Sequence, residues 1–321
     1  MRPSPAVLAS FGADATIAPV ALPGGEGTSW RAGDMVLKPA GDPRVARWTA
    51  DLYLSLSGRE DPGFRVPRPL RSATGGWIAG DRIAPDPAAE AWVAWQWLPG
   101  EPASWAGRSS FWPRLIEASG AFHAALAGRP APPWLGTDGS QWTVGDQVAW
   151  GERDPESVLA DTPGPLGGPL GGQLRSLLAA LRPVHQPSQL IHGDLGGNVL
   201  FADGEPPVVI DFSPYWRPAG LALAVAAVDA LMWSGADPAI LGHLAVQAGY
   251  DPADFGQLLA RALVYRLVTE AIFRRGDPAG LGVAARAGQP VTSLVLEHLA
   301  VRVSDRRPGS SRPGRWCGSA G

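Results

Sequence analysis

Two short segments, each an apolar run ending on an aspartate, constrain this chain more than any other feature. They are Ile191-His192-Gly193-Asp194-Leu195-Gly196-Gly197-Asn198 and Val208-Val209-Ile210-Asp211-Phe212. A carboxylate at the end of an apolar run costs free energy unless something uses its charge. Between the two, 199–201 and 208–211 read as the strands of a hairpin turning at Asp203-Gly204. That hairpin brings Asp211 back beside Asp194 and Asn198. Oxygen donors gathered this way suit Mg²⁺, a hard cation that keeps several waters and takes few protein ligands.

A second constraint comes from the basic residues. The 27 basic residues are 26 arginines and one lysine, Lys38. Where arginine serves for almost every positive charge, a lone lysine marks a place that needs a compact ammonium rather than a planar guanidinium. It stands in Met35-Val36-Leu37-Lys38, a strand pattern in which Val36 and Lys38 share a face.

The first third of the chain reads as β-rich with one helix. Strands are expected at 20–22, 30–32, 35–38, 77–79 and 91–97, and the apolar spacing of Val45, Trp48, Leu52 and Leu56 predicts a helix over 43–57. Leu98-Pro99-Gly100 breaks the pattern and is the expected hinge. Beyond it the chain turns mainly helical, at 111–126, 174–181 and 221–301. The Gly/Pro-rich stretch 128–172 is too long for an idle connector and, with Trp134, Trp142 and Trp150, reads as an ordered binding loop. The expected organisation is an α+β chain of two lobes, 1–98 and 99–301, followed by a disordered basic tail over 302–321.

These segments resemble the catalytic loop and metal motif of the aminoglycoside phosphotransferase and choline kinase family, small-molecule relatives of the protein kinases. The resemblance covers about 18–300 and implies a two-lobed protein-kinase-like fold, with a β-rich N-terminal lobe that binds nucleotide and a mainly helical catalytic lobe. It implies Asp194 as catalytic base, His192 as the brace of the catalytic loop, and Asn198 and Asp211 as Mg²⁺ ligands. Lys38 then contacts the α and β phosphates of ATP, Val36 lines the adenine pocket, and the turn holding Gly24, Gly25 and Gly27 covers the phosphates with backbone N–H groups. The adenine bonds to backbone near Gln96, Trp97 and Leu98. Asp51 is the expected acidic partner of Lys38, because the following helix carries no glutamate.

The chain departs from the family pattern in three places. Asp194 and Asn198 stand about one residue closer than usual, Ser213 replaces glycine after Phe212, and Gly193 replaces the arginine of regulated protein kinases. The last favours a small-molecule kinase. The implied function is transfer of the γ-phosphoryl group of Mg·ATP to a hydroxyl of a small molecule: an aminoglycoside, amino sugar, choline-like compound or relative. The shortened loop and the missing glutamate leave one alternative, a weak or inactive pseudokinase, nucleotide-binding or nucleotide-free, acting as a regulatory or interaction module. Asp229 reads either as a buried acid beneath the catalytic loop or as a helix-surface acid, and Arg217 as a surface arginine. His123, His185, His243 and His298 fit no ligand spacing.

Composition excludes several other classes. A net charge of −3 gives no general attraction to nucleic acid or anionic membrane. Cys317 is the sole cysteine, so no intramolecular disulfide forms and a reducing cytoplasm is the expected location. The apolar run 221–233 is too short to span a bilayer and contains Asp229. There is no P-loop, dinucleotide fingerprint, zinc-spaced histidine pair or nucleophile elbow.

Overall fold

The computed structural model describes residues 2–14, 16–23, 27–59, 63–80, 91–160 and 169–305. They form two compact units, 1–138 with 186–250 and 139–185 with 251–321. The expected lobe boundary at Leu98 lies inside the first unit.

The first unit opens with α1 (Pro5–Ser10), β1 (Val20–Ala21), β2 (Trp30–Ala32), β3 (Met35–Pro39), α2 (Pro43–Ser57), β4 (Pro69–Leu70), β5 (Ile78–Ala79) and β6 (Trp92–Gln96). The strands make one antiparallel sheet in the order β1-β2-β3-β6-β4, with β5 also on β6. Cross-strand partners share a face, and Leu37 opposite Ala94 belongs to the face that buries Leu8 and Phe11 of the α1 segment. Lys38 opposite Val93 therefore lies on the other face, where Val93 packs on Ala46 and Ala50 of α2. Helix α2 starts where the sequence signals it, with Asp42 accepting from the Arg44 N–H and Pro43 at its first position.

The same unit continues through β7 (Glu101–Pro102) and α3 (Trp112–Leu126), then β8 (Ser188–His192), β9 (Val199–Phe201), β10 (Val208–Val209), β11 (Pro214–Pro218), α7 (Gly220–Trp233) and α8 (Ile240–Gln247). The expected hairpin is present: Val199 faces Val209 and Leu200 faces Val208. Strand β7 adds to its other edge, and β11 pairs with β8 so that Pro214 faces His192. Neither β7 nor β11 is legible in the sequence, because both are too proline-rich to read as strands. Beneath these ribbons Leu115, Ala118, Phe122 and Leu126 of α3 are buried, as is nearly the whole of α7.

The second unit is helical: α4 (Gln141–Ala149), α5 (Pro155–Leu159), α6 (Pro169–Ala180), α9 (Pro252–Phe273) and α10 (Pro278–Asp305). The stretch 128–172 is thus not one long loop, since α4, α5 and the start of α6 lie within it. Ser140 caps α4 by accepting from the Thr143 N–H. Gly145 lowers its helix propensity but is required by packing, because a Cβ there would stand 2.9 Å from the Tyr265 carbonyl oxygen of α9. Of the expected tail, 302–305 is helical and 306–321 lies outside the described residues. No helix among the described residues is long and apolar enough to cross a membrane.

Gly100, at the expected hinge, has φ +150°, and a Cβ there would stand 2.9 Å from Leu200 Cβ on β9. Gly100→Ala is expected to destabilise the protein by about 1–3 kcal/mol from backbone strain alone, more with the overlap. The midpoint of urea unfolding measures it.

Candidate active site

Strand β8 delivers His192 at its end, and the chain then turns sharply. Pairing with β11 continues one step further, the Gly193 N–H donating to the Ser213 carbonyl at 2.8 Å. A side chain at Gly193 would overlap the Tyr215 ring, so the arginine of regulated kinases has no room here.

Two buried histidines hold this turn. The Asp194 N–H donates to His192 Nδ1 at 3.1 Å, and His192 Nε2 lies 3.0 Å from the Ile210 carbonyl oxygen. An amide can only donate, so Nδ1 is the acceptor and the ring proton sits on Nε2, donated to Ile210. The His192 N–H in turn donates to His123 Nε2 at 3.2 Å, which puts the His123 proton on Nδ1, 2.7 Å from the Ser119 carbonyl oxygen. Burial lowers the pKa of both rings, that of His123 to about 4, so both are neutral.

The catalytic-loop segment is pinned at further points. Asn198 Nδ2 donates to the Asp194 carbonyl at 2.7 Å and to Asp194 Oδ2 at 3.2 Å. The indole of Trp105, buried against Trp112, donates to the Gly196 carbonyl at 2.7 Å. A Cβ at Gly196 would stand 3.5 Å from Ala226 Cα and 4.0 Å from Asp229 Oδ2, so Asp229 lies beneath the loop rather than on an outer helix face. The shortened loop therefore closes on itself through Asn198.

The hairpin register brings the second acid into place. The Ile210 N–H donates to the Asn198 carbonyl at 2.9 Å, and Asp211 follows directly. Asp211 has φ +52° and is the only non-glycine residue with positive φ among those described; aspartate tolerates that conformation better than most. Its Oδ2 lies 2.9 Å from Lys38 Nζ. Lys38, Asp194, Asn198, Asp211 and His192 are thus all linked, directly or through one intermediary.

Asp51 is not part of this group. Its Oδ1 accepts from the Trp77 indole at 2.8 Å, and Arg71 lies 3.8 Å above the Trp77 ring, so the acidic partner of Lys38 is Asp211 instead. Aspartate's arm is short, and a neighbouring indole donor reached it first. Val36 lies two residues before Lys38 on the same strand face. Gly27 has φ +69°, whereas Gly24 and Gly25 lie outside the described residues. At the expected hinge, the Gln96 N–H is taken by the Arg68 carbonyl and the Trp97 N–H by the Asp34 carbonyl, each at 2.8 Å. The Leu98 amide has no hydrogen bond to any described residue.

Behind the acids lies an aromatic cluster that the sequence did not announce. Phe212 stacks on Trp48 at 6.1 Å and meets Tyr53, Phe122 and His192 at 6.3, 5.8 and 5.4 Å. Tyr53 is 2% exposed, and burial, then the Asp211 charge, raise its phenol well above the ordinary value. Trp48 and Tyr53 sit on α2, so the helix is tied to the second acid by aromatic packing rather than by an ion pair. Trp105 and His123 were also missed: a single indole or imidazole outside a spaced set gives no signal.

For the donors present, a divalent metal fits. With Asn198 Nδ2 committed to Asp194, the amide oxygen Oδ1 is the end left for a cation, and the Lys38 ammonium beside Asp211 is already a positive charge at that carboxylate. Both the amide and the carboxylate are oxygen donors, the ligand type that hard divalent cations take.

The neutral histidines carry a stability consequence. Each has a folded pKa below that of the unfolded chain, so unfolding takes up protons and acid favours it. Stability is expected to fall as pH drops through about 6.5 and to go on falling towards about 4, the His123 value. Thermal midpoints from pH 7.5 to 4.5 test this, with a shallower fall in His123→Gln.

Comparison with known proteins places this arrangement. Residues 27–215 match the model of the phosphotransferase enzyme family. A microcompartment-associated aminopropanol kinase superposes with TM-score 0.58 at 16% identity, covering 94% of this chain and 97% of that one. An amicoumacin kinase solved with AMP-PNP, Ca²⁺ and Ami gives 0.56 at 15% identity over 86% and 88%. An aminoglycoside phosphotransferase from Alicyclobacillus acidocaldarius gives 0.53 at 16% over 91% and 94%. No curated protein matches in sequence. At these identities the solved structures establish the fold, an α+β fold of the protein-kinase-like class. The family match spans more than half of the sequence and includes Lys38, Asp194, Asn198 and Asp211, and by it the chain belongs to the phosphotransferase enzyme family.

Proposed function

We propose that this protein is a Mg·ATP-dependent small-molecule kinase that moves the γ-phosphoryl group to a hydroxyl, with Asp194 as the catalytic base. The observation that carries the reading is the Lys38–Asp211 pair, 2.9 Å apart, in which Asp211 ends the hairpin that starts just after Asn198, itself bonded to Asp194. One ammonium, two carboxylates and an amide oxygen gathered in this way are what phosphoryl transfer asks of a protein: positioning and charge neutralisation rather than covalent chemistry.

The nucleotide's adenine takes the Leu98 N–H, which bonds no described residue, with Val36 against its face. Lys38 turns from Asp211 to the α and β phosphates, and its ammonium offsets their charge. Asn198 Oδ1 and the Asp211 carboxylate hold Mg²⁺, which supplies positive charge against the phosphate oxygens when bound. The Gly27 turn, at φ +69°, covers the phosphates with backbone N–H groups.

Asp194 accepts the proton of the acceptor hydroxyl as that oxygen bonds to the γ phosphorus. The bond from phosphorus to the β–γ bridging oxygen breaks, and its electron pair leaves with ADP. The acceptor class follows the fold relatives, whose names include aminopropanol, spectinomycin and hygromycin B. It is a small amine-bearing alcohol or amino-sugar antibiotic. A cytoplasmic location suits ATP supply and the sole cysteine.

Thermal unfolding with and without Mg·ATP tests this. A ligand at a hundred times its Kd adds about 2.7 kcal/mol. A magnesium-dependent rise is expected for the wild type and a smaller one for Lys38→Ala and Asp211→Asn. Absence of any rise with ATP or GTP would move the reading to the pseudokinase.

A further inference from the structure

We propose that His123 is a positioning residue for Asp194, acting through the main chain of His192; the inference rests on the reading of Asp194 as the base. Among the described residues strand β8 pairs on one side only, with β11, and the His192 N–H on its other edge meets α3. An uncovered strand edge carries main-chain donors that need partners. Two side-chain bonds tie that edge to α3, and one of them satisfies a main-chain donor. Gln189 Nε2 donates to the His123 carbonyl at 2.8 Å, and His123 Nε2 accepts the His192 N–H at 3.2 Å. His192 is completely buried, so without the imidazole its amide would have no water to turn to.

The position of that bond matters more than its strength. Asp194 lies two residues beyond His192, its own N–H held by the His192 ring, and the other nitrogen of that ring holds the Ile210 carbonyl next to Asp211. The main chain of His192 is therefore the shared origin from which both carboxylates are placed. A shift there moves the base relative to the phosphoryl group, and about 1 Å of misplacement costs on the order of a hundredfold in rate.

The role requires an acceptor at the site of Nε2, which only the tautomer protonated at Nδ1 provides. The Ser119 carbonyl fixes it, 2.7 Å from Nδ1. A purely structural histidine would need the volume and packing of the ring against Phe122, not this atom at this place.

Substitutions at the two nitrogen positions separate these roles. Glutamine carries its terminal amide as far as Nε2 and can present an oxygen to the His192 N–H; asparagine reaches only the level of Nδ1. The full chain is assayed with Mg·ATP alone, water serving as phosphoryl acceptor, for the wild type, His123→Gln, His123→Asn and His123→Leu. Hydrogen exchange at the His192 and Asp194 amides is followed in parallel.

His123→Gln is expected to hydrolyse ATP within about threefold of the wild type and to keep both amides protected. His123→Asn and His123→Leu should lose about tenfold or more in kcat, with KM for ATP little changed and faster exchange at both amides. If His123→Leu fails to fold, the glutamine–asparagine comparison carries the test. Equal turnover and exchange in the glutamine and asparagine variants would overturn the inference. A wild type that neither binds nor hydrolyses Mg·ATP would overturn the kinase reading instead, and with it the catalytic role of His123; the exchange data would then report only on the anchoring bond.

Discussion

The neutral ring of His192 is the interaction on which the site depends. One nitrogen accepts the Asp194 amide and the other donates to the Ile210 carbonyl, so a single imidazole ties the end of one strand to the hairpin that returns beside it. Only the uncharged tautomer protonated at Nε2 can make both bonds, and burial favours that neutral form. The ring also packs edge-on against Phe212 and close to Phe122, so polar and apolar constraints converge on one side chain. From this point outward the carboxylates have little freedom. Asn198 closes the loop, Trp105 fixes the Gly196 carbonyl, and the register of β9 with β10 places Asp211.

Charge at the site follows from what each acid has already bonded. Asp51 on α2 is occupied by an indole, so the sole lysine turns to Asp211, which sits in a left-handed conformation. That pair has a direct functional reading. In the proposed kinase reading, the carboxylate that would hold the cation holds the nearest ammonium until the cation arrives, and the ammonium then moves to the phosphates. Because α2 contributes Trp48 and Tyr53 to the packing around Phe212, the helix and the second acid are linked without the acidic side chain that a glutamate on α2 would have supplied.

Legibility in the sequence followed the range of the interactions. His192, Asp194, Asn198 and Asp211 lie within one strand–loop–hairpin, and a short hairpin has essentially one way to return, so their proximity could be read directly. Lys38 was legible because arginine serves everywhere else. Partners set by tertiary approach were not. His123 and Trp105 come from α3 and the segment before it, and nothing in their local pattern points at the catalytic loop. Asp51 reads as the lysine's partner in the sequence because helical spacing says nothing of the Trp77 indole, brought in from the segment just before β5. Helix α4 is hidden in the sequence by the Gly/Pro-rich stretch around it and by its own Gly145, and the reason for that glycine is the Tyr265 backbone in another helix. Strand β11, proline at both ends, takes its structure from pairing with β8 rather than from its own residues.

In the proposed reading, Lys38, Asn198 and Asp211 form the seat of a metal-bound nucleotide facing Asp194. A crystal structure with Mg²⁺ and a non-hydrolysable ATP analogue tests it most directly. The expected structure has the metal on Asn198 Oδ1 and the Asp211 carboxylate, Lys38 Nζ moved from Asp211 to a phosphate oxygen, and adenine on the Leu98 amide. Nucleotide bound elsewhere, or the Lys38–Asp211 pair intact with the analogue in place and no metal at Asp211, would contradict it.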